Sequence, residues 1–369
     1  MFPAEYQTAE WIGRQRLALG RCDPGILEKC VLALTLLGRL VETGLPFLFK
    51  GGTSLLLHLP EPRRLSRDID IVCGESAEKV DAALEEVGRQ APFIRHEPDP
   101  RDDTRMPRRR HFKFFYRSAL KGNAESEVLL DVVEEAHEAH DAVMRPIRTN
   151  VLIPEREILV RVPTVESLLG DKLTAFAPNT VGVRLRRPDG LPGDVQQVAK
   201  QLFDVGVLMD VATDFDAVAR TYDQVHSLEN GYRGGNHTRE ASLDDTINAC
   251  LAIMARKKVQ LDQYPDAPLL HDGFERMKGH LTWPAFSNTE ARRTLAAKAA
   301  ALAAHLKAGV PFDFIANRYS ASAEQLAHLK ATSLNGTPHS WLEGVRSTNP
   351  ESYHYWVATM RALGHLPAV

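Results

Sequence analysis

Hydrophobic periodicity divides the chain into two stretches of different character. Before about residue 45 the apolar positions recur at helical spacing, and "GILEKCVLALTLLGRLVETG" predicts a helix stopped at Gly44-Leu45-Pro46. "PFLFK" is a short apolar run ended by Gly51-Gly52, which predicts a buried strand and a turn. "TSLLLHL" then predicts a helix start, with Thr53 or Ser54 as its cap. "RDIDIVC" alternates with period two, so Asp68 and Asp70 share one strand face and Ile69 and Ile71 the other. "SAEKVDAALEEVGRQ" predicts an amphipathic helix capped by Ser76, and "HFKFFYRS", "SEVLLDVVEE" and "REILVRVPT" predict further strands. From Thr164 onward helical patterns dominate, as in "TVESLLGDKLTAFA", "GDVQQVAKQLFDVGVLMD", "TREASLDDTINACLAIMARKK", "TEARRTLAAKAAALAAHLK" and "PESYHYWVATMRALG". "RLRRPDGLPGD" and "HSLENGYRGGNHT" predict loops. The expectation is an α+β fold in two domains, 1–163 with mixed helices and strands and 164–369 mostly helical.

Composition narrows the class only a little. The chain has 369 residues, 44% hydrophobic and 25% charged, with a formal net charge of -3. That is ordinary for a globular protein long enough for two cores. No global basic field announces nucleic acid, although a local patch is compatible with this charge. Cys22, Cys30, Cys73 and Cys250 form no Cys-x-x-Cys pair, which predicts buried, reduced thiols and no zinc site. The N-terminal stretch has no signal-peptide pattern, and "LAAKAAALAAHL" is interrupted by Lys298 and His305. A cytoplasmic location is expected.

The candidate chemistry centres on 47–73. A Gly-Gly turn between a strand and a hydroxyl-bearing helix start lets a ligand phosphate approach the backbone, but a tight turn needs glycine as well. Two carboxylates on one strand face can share Mg²⁺, a hard cation held by a few carboxylates and substrate phosphates. Asp131, the only charge inside the apolar core of its strand, is the candidate third ligand, completing a site for two ions. The plainer alternative puts Asp68 and Asp70 in solvent on an edge strand.

These residues carry a family resemblance. Lys50-Gly51-Gly52-Thr53-Ser54-Leu55, followed by Arg64-x-Ser66-x-Asp68-x-Asp70, resembles the AbiEii/AbiGii nucleotidyltransferase toxins, which include the mycobacterial MenT-type toxins. "SLLGDKLTAF" matches the family's Asp-Lys motif at Lys172, and "VAKQLFDVGVLMD" matches its Lys-x-x-(aromatic)-Asp motif at Lys200 and Asp204. The four motifs occur in family order between about 50 and 210; residues 211–369 match no motif. The resemblance implies a polymerase-β-like nucleotidyltransferase core, with a mostly antiparallel or mixed sheet flanked by helices. It implies an NTP on Lys50, Gly51, Gly52, Thr53, Ser54 and Lys200, catalytic roles for Asp68, Asp70, Lys172, Asp204 and Ser66, and Mg²⁺ on Asp68 and Asp70. It further implies a toxin with a cognate antitoxin encoded nearby, and an RNA acceptor, the tRNA 3′ end in related toxins.

Other readings of the same residues stay open. Lys172 could be a surface lysine, Lys200 and Asp204 could pair at i,i+4, and Ser66 could hydrogen-bond locally. "RDDTRMPRRRHFKFFYRSALK" sets Arg101, Arg105, Arg108, Arg109, Arg110, Lys113, Arg117 and Lys121 among aromatic residues, a strip that could follow an RNA backbone or form an ordinary basic hairpin. His137 and His140 stand at i,i+3 without further ligands, which argues against a metal site there. The rival functions are nucleotidyl transfer to a small-molecule or protein hydroxyl, and a non-catalytic nucleotide-binding relative.

Overall fold

A computed structural model describes residues 2–59, 61, 63–100, 107–134, 140–282, 288–311 and 313–367. The chain divides into two compact units, Met1–Thr164 with Gly279–Pro284, and Val165–Lys278 with Ala285–Val369.

The first unit opens with α1 (Ala9–Ala18) and α2 (Pro24–Glu42). Asp23 caps α2 by accepting from the Ile26 amide, and Pro24 sits at the first turn, where its missing N–H costs nothing. Then come β1 (Leu48–Lys50), α3 (Gly51–Ser54), β2 (Asp68–Val72), α4 (Ala77–Gly88), β3 (Phe93–Pro98), β4 (Arg109–Arg117), β5 (Glu125–Val133), β6 (Ala142–Pro146) and β7 (Leu159–Pro163). The main sheet has the order β1-β2-β5-β4-β3, in which β2 and β5 run parallel and every other pair antiparallel. β6 and β7 form a separate antiparallel pair. One sheet face supplies the main core: Ile69, Ile71, Val128, Leu130, Val132, Phe112, Phe114 and Tyr116 pack with α2 and α4. This is the α+β core with a mixed sheet and flanking helices that the motifs imply.

Local details depart from expectation. The helix after β1 begins at Gly51, so Thr53 and Ser54 lie inside it and do not cap it. Their hydroxyls bond elsewhere, Thr53 to the Asp68 carbonyl at 2.5 Å and Ser54 to the Gly51 carbonyl at 2.8 Å. Ser76 stands at the N-cap of α4 but makes no capping bond. β3 and β6 have no counterpart in the sequence reading, because their residues are largely exposed and lack alternation. Arg101, Arg105 and His137 lie outside the described residues.

The second unit is helical: α5 (Val165–Ala175), α6 (Val195–Leu208), α7 (Phe215–Tyr232), α8 (Arg239–Met254), α9 (Lys258–Gln263), α10 (Ala267–Met277), α11 (Thr289–Ala308), α12 (Ala323–Ala331) and α13 (Pro350–Ala362). Its centre is the alanine-rich α11, which packs against α6, α8 and α13. Small side chains let those axes approach closely. Lys298 is buried on α11, bonded to Asp210 at 2.7 Å and Glu351 at 3.1 Å. Burial alone would lower its pKa; the two carboxylates outweigh that and raise it. α7 runs through His226–Tyr232, part of a stretch expected as loop. The helix persists because Val218, Tyr222 and Val225 keep helical apolar spacing up to that point and are buried. Among the described residues no helix is long and apolar enough to cross a membrane. The four cysteines are free and buried; burial pushes Cys22 up to about 11 and Cys30 to about 12.

Gly170 marks the tightest packing of α5. A Cβ there would lie 2.8 Å from the Tyr222 amide nitrogen and 2.9 Å from the Val218 carbonyl oxygen, both backbone atoms of α7. Gly170→Ala gains about 1 kcal/mol of helix propensity. It loses more by overpacking against atoms that cannot yield, about 1–3 kcal/mol. A lower urea midpoint is expected, and an unchanged or raised midpoint would show that α5 can shift freely.

Candidate active site

The in-register pairing of four strands builds the site. Lys50 lies opposite Asp70, Asp70 opposite Asp131, and Asp131 opposite His111. Cross-strand partners point to the same face, so these four side chains form one row across β1, β2, β5 and β4. The face is the one opposite the apolar core. Asp68, two residues from Asp70, shares it and lies opposite Leu129. Leu48, Val72, Val133 and the half-buried Ala142 form a small apolar cluster on one side of the row.

The carboxylates are not on an edge. β2 is flanked by β1 and β5, and Asp68, Asp70 and Asp131 are each half-buried. The Gly-Gly turn touches them directly. Gly51 has φ +80, a left-handed conformation that side chains with a Cβ resist, and a Cβ there would fall 2.0 Å from Asp70 Oδ2. Asp70 therefore rests its carboxylate on bare Gly51 backbone. A Cβ at Gly52 would fall 2.5 Å from an Arg64 guanidinium nitrogen, so the second glycine makes room for that buried arginine. The loop before β2 is held by Leu65 N–H donating to the His280 carbonyl at 2.7 Å and Thr282 N–H donating to the Arg63 carbonyl at 3.2 Å. Ser66 lies half-buried in that loop, its backbone amide against the Cys30 thiol.

Two neighbours were given no role from sequence, Arg64 at the head of the loop motif and His111. His111 Nδ1 is 2.7 Å from Asp131 Oδ1, and Arg64 covers the Gly-Gly turn. The signal for His111 was the hairpin register: counting outward from the turn between Ser118 and Ala124 sets it opposite Asp131. Of the basic strip, Arg108 pairs with Glu134, Arg110 with Asp81 and Glu134, and Lys113 with Asp99. Arg109 stands on the carboxylate face, opposite Val133.

In the helical unit, α5 and α6 bring together the later motif residues. Lys172 Nζ lies 3.6 Å from Asp204 Oδ2, with the lysine side chain 8% and the aspartate 0% exposed. Lys172 is thus no surface lysine. Lys200 is also buried, one turn before Asp204 on α6.

The donor set of the row suits a hard cation, since all three carboxylates offer oxygen. Among the described residues no group of three or more His, Cys, Asp and Glu residues is arranged to hold a metal ion. Mg²⁺ does not demand a closed protein cage, because it is usually held by one or two carboxylates together with substrate phosphates and water. On that basis the residues fit the ion.

Residues 35–313, more than half of the chain, match the family model described as "Nucleotidyl transferase AbiEii toxin, Type IV TA system". The protein belongs to this family of nucleotidyltransferase toxins. Among solved structures it is similar to MenT4, a nucleotidyltransferase toxin from Mycobacterium tuberculosis, at 15% identity over 80% of this chain and 99% of that one, with a TM-score of 0.43. It is also similar to JHP933 from Helicobacter pylori, at 14% identity over 76% of this chain and 92% of that one, with a TM-score of 0.39. Both scores are too low to bear on the chemistry. None of the curated proteins matches the chain.

The contact between Gly51 and Asp70 can be isolated by comparison with Gly44, which has φ +76 and nothing within 4 Å of a built Cβ. Gly44→Ala carries backbone strain of about 1–2 kcal/mol alone. Gly51→Ala adds the collision with Asp70, a further 1–3 kcal/mol or so. Chemical denaturation is expected to show Gly51→Ala as the less stable of the two; equal losses would mean that Asp70 moves aside at no cost.

Proposed function

We propose that this toxin transfers an NMP unit from a Mg²⁺-bound NTP to a hydroxyl of an RNA acceptor, the tRNA 3′ end, and that a cognate antitoxin from a neighbouring gene restrains it. The observation that carries this reading is the row of Lys50, Asp70, Asp131 and His111 with Asp68 on the same face. Asp68, Asp70 and Asp131 would hold the metal, in one or two ions. When bound, the metal screens the phosphates and acidifies the attacking hydroxyl. Lys50 brings a positive charge to the end of the carboxylate row, and Arg64 brings a second to the adjoining glycine turn, which together suit a phosphate. Thr53 and Ser54 hold that turn through their bonds to Asp68 and Gly51. The acceptor hydroxyl gives its proton to solvent as its oxygen forms a bond to the α-phosphorus, the bond to the oxygen bridging the α- and β-phosphates breaks, and pyrophosphate leaves. Ser66 is assigned to the phosphates on motif position.

Lys172, paired with Asp204, is assigned to neutralising charge on the leaving phosphates, with Lys200 beside it on α6. This assignment rests on motif order and on the burial of the pair. Arg109, on the carboxylate face, is the member of the basic strip best suited to an RNA phosphate.

One observation favours a second acceptor. Arg108, Arg110 and Lys113 already have carboxylate partners, which lowers the charge the strip offers to RNA. A small hydroxylated molecule or a protein side chain needs no such strip. Incubation with each α-labelled NTP, Mg²⁺ and total tRNA separates the cases. Label is expected in RNA, and Asp70→Ala is expected to reduce it on the order of 100- to 1,000-fold, the scale for losing one electrostatic stabiliser. Label that survives ribonuclease and follows protein would instead support the second reading. No transfer to any RNA with any of the four NTPs would sink the first.

A further inference from the structure

We infer that His111 is a positioning residue for the third carboxylate of the row. Its Nδ1–H binds Asp131 Oδ1 and fixes the orientation in which that carboxylate stands beside Asp70, where a divalent cation would be held. The inference rests on the nucleotidyl-transfer reading above.

Four observations support it. The Nδ1 to Asp131 Oδ1 distance is 2.7 Å, with the His111 side chain 7% and the Asp131 side chain 27% exposed. An ionised carboxylate only accepts hydrogen bonds, so Nδ1 is the donor. The pairing is fixed by backbone, because β4 and β5 stay in register from Arg109↔Val133 to Arg117↔Glu125 without a bulge. The hairpin that sets this register is closed by Ser118 N–H donating to the Ala124 carbonyl at 3.0 Å and Asn123 N–H donating to the Ser118 carbonyl at 2.9 Å.

Asp131 also stands between two unlike neighbours. Asp70 is its partner on one side and His111 its partner on the other. Like charges directly opposite each other repel, which favours rotation of the Asp131 carboxylate away from Asp70. The imidazole opposes that rotation by binding one carboxylate oxygen from the far side. Metal sites commonly use such a partner to orient a ligand.

Divalent-cation binding to the full-length protein without nucleotide tests this directly, with Mn²⁺ as the probe and free Mn²⁺ read by electron paramagnetic resonance. His111→Phe keeps ring volume and removes the donor; it is expected to weaken Mn²⁺ binding about 10-fold or more, the usual scale for losing an orienting partner. His111→Asn puts an amide N–H near the position of Nδ1 and is expected to stay closer to wild type than to the phenylalanine variant. His111→Gln puts the amide nearer the position of Nε2 and is expected to weaken binding as phenylalanine does. If His111→Phe does not fold, as a thermal melt would reveal, the asparagine and glutamine variants carry the same comparison. Wild-type affinity in His111→Phe, or equal affinities in the asparagine and glutamine variants, overturns the positioning role. Asp70→Asn and Asp131→Asn separate the two levels. If both abolish Mn²⁺ binding while the His111 variants do not, only this inference fails. If neither affects binding, or the wild type binds no Mn²⁺, the metal-dependent reading fails and His111 with it.

Discussion

The parallel pairing of β2 with β5 is the constraint on which the rest of the site depends. Its register puts Asp70 beside Asp131, two half-buried carboxylates on neighbouring strands. That arrangement is unfavourable by itself, through mutual repulsion and partial desolvation. The same row supplies compensation at both ends, Lys50 beyond Asp70 and His111 beyond Asp131. The opposite face carries the main apolar core, so a one-residue slip would bury the carboxylates and expose Ile69, Ile71, Leu130 and Val132. The hydrophobic core thus enforces an electrostatic arrangement that the polar groups would not choose alone.

Burial and pairing of a lysine do not identify function by themselves. Among the described residues of the helical unit, buried Lys172 pairs with Asp204 and buried Lys298 with Asp210 and Glu351. Lys298 makes short contacts, ties α11 to its surroundings and serves packing. Lys172 sits 3.6 Å from its partner, longer than a good hydrogen bond. What distinguishes Lys172 is its place in an ordered series of motifs, a property of the sequence that no single distance conveys.

What the sequence reveals follows how local each feature is. The shared face of Asp68 and Asp70 follows from strand alternation, and the motif series led to the family without any coordinates. The helices around α5, α6, α8, α11 and α13 were legible from strong apolar spacing. β3 and β6 were not, because exposed strands carry no burial pattern. The Thr53 and Ser54 hydroxyls were misassigned because Thr53 bonds across to the Asp68 carbonyl and Ser54 back to the Gly51 carbonyl, where a cap was expected. His111 was given no role from sequence, since its partner lies across a strand register. The carboxylates were assigned by pattern; their neighbours needed the fold.

The chain reaches back into its first unit at Gly279–Pro284 after building much of the second. His280 and Thr282 hold the loop leading to β2 through the backbone bonds at Leu65 and Arg63 and the contact of His280 Nδ1 with the Leu65 carbonyl at 3.0 Å. During synthesis, which proceeds from the N-terminus, the strand bearing Asp68 and Asp70 is made long before the segment that secures its approach. The carboxylate-bearing unit therefore cannot be completed in chain order. A ribosome must release more than two-thirds of the protein before this part of the molecule has all of its own backbone partners, which delays the finished toxin until late in its own translation.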